Sequence, residues 1–148
     1  MKTIARNKKA THLYFIEDRF EAGIALKGTE IKSIRQGKVS IQDAYVRIRN
    51  GQASIINMHI AKFKEGSLFN HEETRERRLL LHKREIDRLH GKIKKEGATV
   101  IPLSVYLKDG LCKVEIALAK GKKKYDKRQA LKEKDMKRRT EKVLANRQ

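Results

Sequence analysis

Two turn dipeptides do most to restrict the fold of this chain: Asn50-Gly51 and Asp109-Gly110. The two-residue turn that matches the twist of its flanking strands needs positive φ at both central positions. Asn or Asp followed by Gly reaches that conformation at low cost. On either side of each dipeptide the residues alternate as half-buried strands do. Tyr45-Val-Arg-Ile-Arg49 is answered by a return strand from Ala53 to Ile60. Leu103-Ser-Val-Tyr-Leu107 is answered by Cys112, Val114, Ile116 and Leu118, with Lys113 and Glu115 facing outward. Pro102 falls near the start of its strand, where a missing amide donor is tolerated.

A third hairpin is predicted upstream. Leu13-Tyr14-Phe15-Ile16 forms one strand, Glu17-Asp18 the turn, and Phe20 to Leu26 the return, with Gly23 marking a bulge or a close backbone approach. Gly28-Thr29 opens a short helix in which Thr29 is placed to cap. Ile31 and Ile34 share a face there, and Gly37 is placed to end it in the left-handed conformation. Residues 61–77 lack periodicity and read as a loop, and Leu79-Leu80-Leu81 resumes apolar character. A second helix is expected over Lys83–Lys95, with Ile86, Leu89 and Ile93 on one stripe, capping-box spacing at His82 and Glu85, and Gly97 as its stop. Three antiparallel hairpins and two inserted helices within residues 1–119 predict a mainly β fold with helices. The expected form is a closed antiparallel β-barrel of OB type, because closure removes the exposed edges of such short strands.

Residues 120–148 are of another kind. They hold 13 basic and 4 acidic residues, contributing +9 of the chain's net +19. Their apolar residues, Leu131, Met136, Val143 and Leu144, are too sparse for a core or a membrane-binding face. A basic body carrying a basic arm is suited to a polyanion met at two places, and RNA on a large particle is the natural one, since each neutralised phosphate releases counterions. Charge by itself does not separate RNA from DNA. Basic clusters in the body occur at Arg6-Lys8-Lys9, at Lys27, Lys32, Arg35 and Lys38 around the short helix, and at Arg75-Arg77-Arg78. Taken singly each is a solvated charge; together, with a tail of the same sign, they read as a phosphate-facing surface.

Other classes are disfavoured. Aromatic residues make up 5% and Trp is absent, which argues against a broad base-stacking platform. Cys112 is the one cysteine, so neither a disulfide within the chain nor a cysteine zinc cluster can form, and its register with Val114 and Ile116 makes it a small core residue. The five histidines show no metal-ligand spacing, Gly121-Lys122-Lys123 is no phosphate-cradling loop, and Asp43, Asp87, Asp109 and Glu115 are too scattered to hold catalytic metal ions. The expectation is a non-enzyme without cofactor or metal. With neither a signal-peptide stretch nor an apolar run near the ~20 residues of a membrane span, a cytoplasmic location is expected, with no membrane partner.

Several strings, taken in order, resemble one family. They are Ile4-Ala-Arg-Asn-Lys-Lys-Ala10, Tyr14-Phe-Ile-Glu17, Phe20-Glu-Ala-Gly23, Gly28-Thr-Glu-Ile-Lys-Ser33, Arg35-Gln-Gly-Lys38, Leu79-Leu-Leu-His-Lys-Arg-Glu85 and Ala119-Lys-Gly-Lys-Lys-Lys-Tyr-Asp-Lys-Arg128. This pattern is similar to that of the SsrA-binding protein family, also called small protein B, and covers the chain from about Ile4 through the tail. The resemblance implies an OB-type RNA-binding barrel over 1–119. It also implies a tail over 120–148 that is disordered when free and helical on the ribosome. It further implies a monomeric adaptor that binds the tRNA-like domain of transfer-messenger RNA (SsrA RNA) and brings it to ribosomes stalled without a stop codon. There the tail enters the empty messenger channel and a degradation tag is added (trans-translation). Asn7, Glu21 and Leu80 match residues associated with RNA binding, and Lys8, Lys9, Lys32, Arg35 and Lys38 are expected beside them. Lys122, Lys123, Tyr125, Asp126, Lys127 and Arg128 are expected to meet the ribosome, including small-subunit ribosomal RNA. Glu21 can equally be read as a structural ion-pair partner. Met136 stands where the family often has an aromatic residue. The alternative reading is another basic ribosome-associated or ribosomal-RNA-binding assembly factor.

Overall fold

The computed structural model describes residues 1–65 and 70–122. In chain order they form β1 (Lys2–Arg6), α1 (Ala10–Leu13), β2 (Tyr14–Ile24), α2 (Gly28–Arg35), β3 (Val39–Ser40), β4 (Tyr45–Arg49), β5 (Gln52–Ile56), β6 (His59–Ile60), β7 (Arg77–Leu80), α3 (Lys83–Glu96), β8 (Thr99–Lys108) and β9 (Leu111–Gly121). The described residues are mainly β with three helices.

Both dipeptide turns form hairpins. Asn50 and Gly51 have φ of 53° and 71° between β4 and β5, and Asp109 and Gly110 have 51° and 77° between β8 and β9. The long β8–β9 hairpin organises the rest. β8 pairs with β1, β4 and β9, while the ladder continues from β4 through β5, β7 and β2 to β9, which returns to β8. Two joins in that circuit are narrow. β4 meets β8 through Val46 and Val100, and β7 meets β2 through Gly23 opposite Leu80 and Ile24 opposite Leu79. β3 and β6 form a separate two-stranded ribbon. Inward residues of the strands, among them Val46, Ile55, Leu79, Val100, Val114, Ile116 and Leu118, make the core with Ile34 from α2 and with Ile86 and Leu89 from α3. Each large aliphatic side chain fully buried here is worth ~1.5–3 kcal/mol.

α3 begins and ends as its sequence predicts. The His82 amide donates to Glu85 Oε1 at 3.1 Å, and Gly97, at φ 63°, donates its amide to the Ile93 carbonyl. Gly37 likewise has φ 76° after α2. Thr29, however, does not cap α2. The cap residue is Lys27, whose amide donates to the Glu30 carboxylate at 2.7 Å, and Thr29 is turned to His71.

The expected first hairpin does not form. Leu13 lies in α1, and Tyr14–Ile24 is one continuous strand paired along β9. The acidic pair Glu17-Asp18 sits where β2 takes one extra residue, since Ile16 faces Ala119 and Arg19 faces Ala117. An eleven-residue partner offers a ladder along the whole of β2, and a bulge absorbs the acidic pair at lower cost than reversing the chain. β9 itself runs through Gly121, so Lys120 and Gly121, counted with the tail on composition, are strand residues opposite Phe15 and Tyr14.

Candidate nucleic-acid interface

β2 and β9 present one outer face. Arg19, Glu21 and Gly23 alternate outward on β2, beside Lys113 and Glu115 on β9. Glu21 lies directly opposite Glu115, a repulsive pairing unless each is held by a cation. Arg19 takes Glu115 at 3.3 Å, while Glu21 receives the Tyr106 hydroxyl and lies 3.5 Å from Lys108 Nζ. The Tyr106 hydrogen bond, with help from Lys108, holds the Glu21 carboxyl below its ordinary range. Burial and the same contact push the Tyr106 phenol far up. Glu21 is therefore an exposed negative point on the outer face, held in place by Tyr106 and Lys108.

Leu80 flanks Glu21 on the neighbouring strand. It is 53% exposed, and a Cβ on Gly23 would come within 3.2 Å of Leu80 Cβ, closer than ordinary van der Waals contact. Glu21, Leu80, Arg78 and Lys113 surround a cavity of about 370 Å³. Beyond it Leu80 also borders an apolar groove with Leu26, Ile31 and Leu111. At the opposite end Arg19 and Glu115 border a cleft of about 500 Å³ with Asn7 and Lys8. Asn7, Glu21 and Leu80, far apart in sequence, thus lie along one continuous face. Asn7 is partly committed to the fold, since its Nδ2 donates to the Pro102 carbonyl at 3.1 Å and its amide to that of Leu103 at 2.8 Å. Lys8 and Lys9 are exposed beside it.

Lys32, Arg35 and Lys38 are exposed on and just after α2, with Lys32 Nζ 5.4 Å from the Phe63 ring centre. The Arg75-Arg77-Arg78 cluster is not the surface patch that its sequence suggests. Arg77 is fully buried, with Nε on the buried Glu30 carboxylate and its other nitrogens on the carbonyls of Met58, Glu72 and Glu73. Arg75 also binds Glu30, at 2.5 Å, and Arg78 alone of the three is exposed. Burial by itself would raise the Glu30 carboxyl; the hydrogen bonds from Arg75, the Lys27 amide and Arg77 outweigh it and leave it lowered. Alongside, buried His71 bridges the Thr29 hydroxyl and the Ile60 carbonyl, each at 2.9 Å. A carbonyl can only accept, so Nε2 carries the proton towards Ile60. This cluster fixes α2, and hence its cations, on the body. Sequence reasoning missed it, yet two signals were present: Arg77 shares the strand parity of Leu79, and Glu30 the helical face of Ile34.

At the root of the tail, Lys120 Nζ lies 3.1 Å from Glu96 and 3.4 Å from Glu17. Lys122 Nζ donates to the Thr11 carbonyl at 2.6 Å and lies 5.3 Å from the Phe15 ring centre. Lys123, Tyr125, Asp126, Lys127, Arg128 and Met136 lie outside the described residues. Cys112 packs in the core, and burial pushes its thiol up to about 11, a value at which it is inert. Among the described residues no group of three or more His, Cys, Asp and Glu is placed to hold a metal ion, and no helix is long and apolar enough to cross a membrane.

Residues 4–146 match the family model described as SmpB protein. The chain belongs to the SmpB family. Proteins called SsrA-binding protein are similar over nearly their whole length. One from Acholeplasma laidlawii is 58% identical, covering 97% of both chains. Another, from Oceanobacillus iheyensis, is 56% identical, covering 97% of this chain and 93% of the relative. A solved chain, from the structure called "tmRNA-SmpB: a journey to the center of the bacterial ribosome", superposes with a TM-score of 0.67 at 44% identity, covering 80% of this chain and 83% of the other.

Proposed function

We propose that this SmpB-family protein is a non-catalytic RNA-binding adaptor of the cytoplasm. It binds the tRNA-like domain of transfer-messenger RNA and carries that RNA to stalled ribosomes for trans-translation. The observation that carries the reading is the β2–β9 face, along which Asn7, Glu21 and Leu80 are set out from three segments. Leu80 supplies apolar contact to an exposed base. Glu21 holds Lys108 beside the RNA, and Lys8, Lys9, Lys32, Arg35 and Lys38 supply phosphate contacts. The returning strand circuit is read as an OB-type barrel drawn shut at its two narrow joins. Lys122 and Lys123 lead into the tail, where Tyr125, Asp126, Lys127 and Arg128 engage small-subunit RNA once the tail enters the messenger channel.

Two surfaces imply separable losses. Replacing Asp126, Lys127 and Arg128 together by alanine is expected to leave affinity for transfer-messenger RNA within about threefold while tagging on stalled ribosomes collapses. Leu80→Ala is expected to lower the RNA affinity itself. Parallel loss of binding and tagging in the triple variant would refute the division. Sequencing the RNA that copurifies with the protein decides against the adaptor role if ribosomal RNA replaces transfer-messenger RNA as the principal species.

A further inference from the structure

Every register shift of the sheet among the described residues borders one cleft. β1 takes an extra residue between Thr3 and Ala5, β2 between Ile16 and Arg19, and β8 between Pro102 and Ser104. Thr3, Ile16, Arg19, Leu103 and Ser104 all line the cleft of about 500 Å³ at the end of the β2–β9 face. A bulge bends its strand and re-aims a side chain, and bulges gather beside functional sites. Three converging on one hollow make a recess that regular ladders would have filled.

The lining is graded. Ala10, Ile16 and Leu103 give an apolar floor continuous with a small second core. Arg6, Lys8 and Arg19 stand as cations around it, and Thr3, Thr11 and Ser104 add hydroxyls. Among the described residues the one carboxylate at the cleft, Glu115, already holds Arg19. An apolar floor under a cationic, hydroxyl-bearing rim suits a ligand with a flat apolar part and an attached anion. Its volume is within the ~300–1,000 Å³ of small-molecule sites.

We propose that the cleft seats one unstacked nucleotide of the bound RNA. The base lies on Ala10, Ile16 and Leu103, the flanking phosphates meet Arg6 and Arg19, and the ribose meets the hydroxyls. Sequence-specific binding of RNA commonly takes unstacked bases in this manner. The inference rests on the RNA-binding reading above, and it gives Asn7 a positioning role, since its two bonds to β8 tie the end of β1 across the β8 bulge.

The test uses the full-length protein and the tRNA-like RNA domain. Arg6→Gln and Arg19→Gln are each expected to weaken binding several-fold and to reduce the slope of log affinity against log salt by about one. Thr11→Trp, which fills the cleft without changing charge, is expected to weaken binding with that slope unchanged. A single 4-thiouridine walked through the RNA should crosslink to residues 3–11 or 103–104 from one position. Denaturation midpoints near wild type keep misfolding out of the comparison. If Leu80→Ala weakens binding while all three cleft variants bind with wild-type affinity and slope, the cleft proposal is overturned and the adaptor reading stands. If the wild-type protein does not bind the RNA, the adaptor reading fails first.

Discussion

The ion cluster beneath α2 and the ion pairs at the root of the tail use the same side-chain chemistry in opposite surroundings. Glu30 and Arg77 are both fully buried, 47 positions apart, with the spare nitrogens of Arg77 satisfied by backbone carbonyls. Lys120, Glu17 and Glu96 each remain about one-third exposed. Without its partner a buried charge has no water to fall back on, so the α2 cluster works as an all-or-none framework element. Charges in contact with water exchange partners at small cost. A protein that must hand cations to phosphate needs the second kind on its working faces. It needs the first kind only to keep those faces in place.

The largest effect should come from breaking the buried pair. Arg77→Ala takes one of its two arginine partners from the buried Glu30 carboxylate and the side-chain donor from the Met58 carbonyl, and is expected to cost about 3 kcal/mol in denaturant unfolding. A loss below about 1 kcal/mol would mean that solvent reaches the cluster and that the contrast is false. Acid sharpens the comparison at intermediate strength. The Glu30, Glu21 and Glu96 carboxyls are all held below the ordinary value of 4.5, so their contribution to stability is complete above it and lost as pH falls through the lowered folded values. Unfolding midpoints compared at about pH 6 and about pH 3 should show this loss. Glu30→Gln should flatten part of it, and an unchanged acid profile would assign the loss to the surface carboxylates instead. The smallest effect belongs to Lys120→Met. It should leave the unfolding midpoint nearly unchanged, and added salt should narrow any difference from wild type. A midpoint drop comparable to that of Arg77→Ala would contradict the distinction between the two regions.

What could be read from the sequence was local. The β4–β5 and β8–β9 hairpins follow from Asn50-Gly51 and Asp109-Gly110, and α3 follows from its stripe, its Glu85 back-cap and Gly97, each a signal contained within a few residues. The continuous β2, β1 and the β3–β6 ribbon depend on distant partners. β1 finds its ladder about a hundred positions later, on β8, and nothing in Lys2–Arg6 declares that. Arg77 escaped because charge argues for the surface more strongly than parity argues for the core, and its partner Glu30 belongs to another element. Along the candidate interface, Asn7, Glu21 and Leu80 came from family likeness. Arg6 came from its charge cluster, whereas Arg19 gave no signal, because the cleft it borders is flanked by bulges, which only a register can reveal.

The strand that β2 relies on along most of its length is β9, which ends at Gly121. During synthesis β2 is made about ninety residues before β9. Until then it is an eleven-residue edge with nothing to zip against for most of its length. Truncated chains should therefore be sticky and protease-sensitive, and cooperative folding should begin only once β9 has cleared the exit tunnel. For β9 to stand outside the tunnel the residues that follow it must already occupy it, so the basic tail is translated before the body it follows can fold.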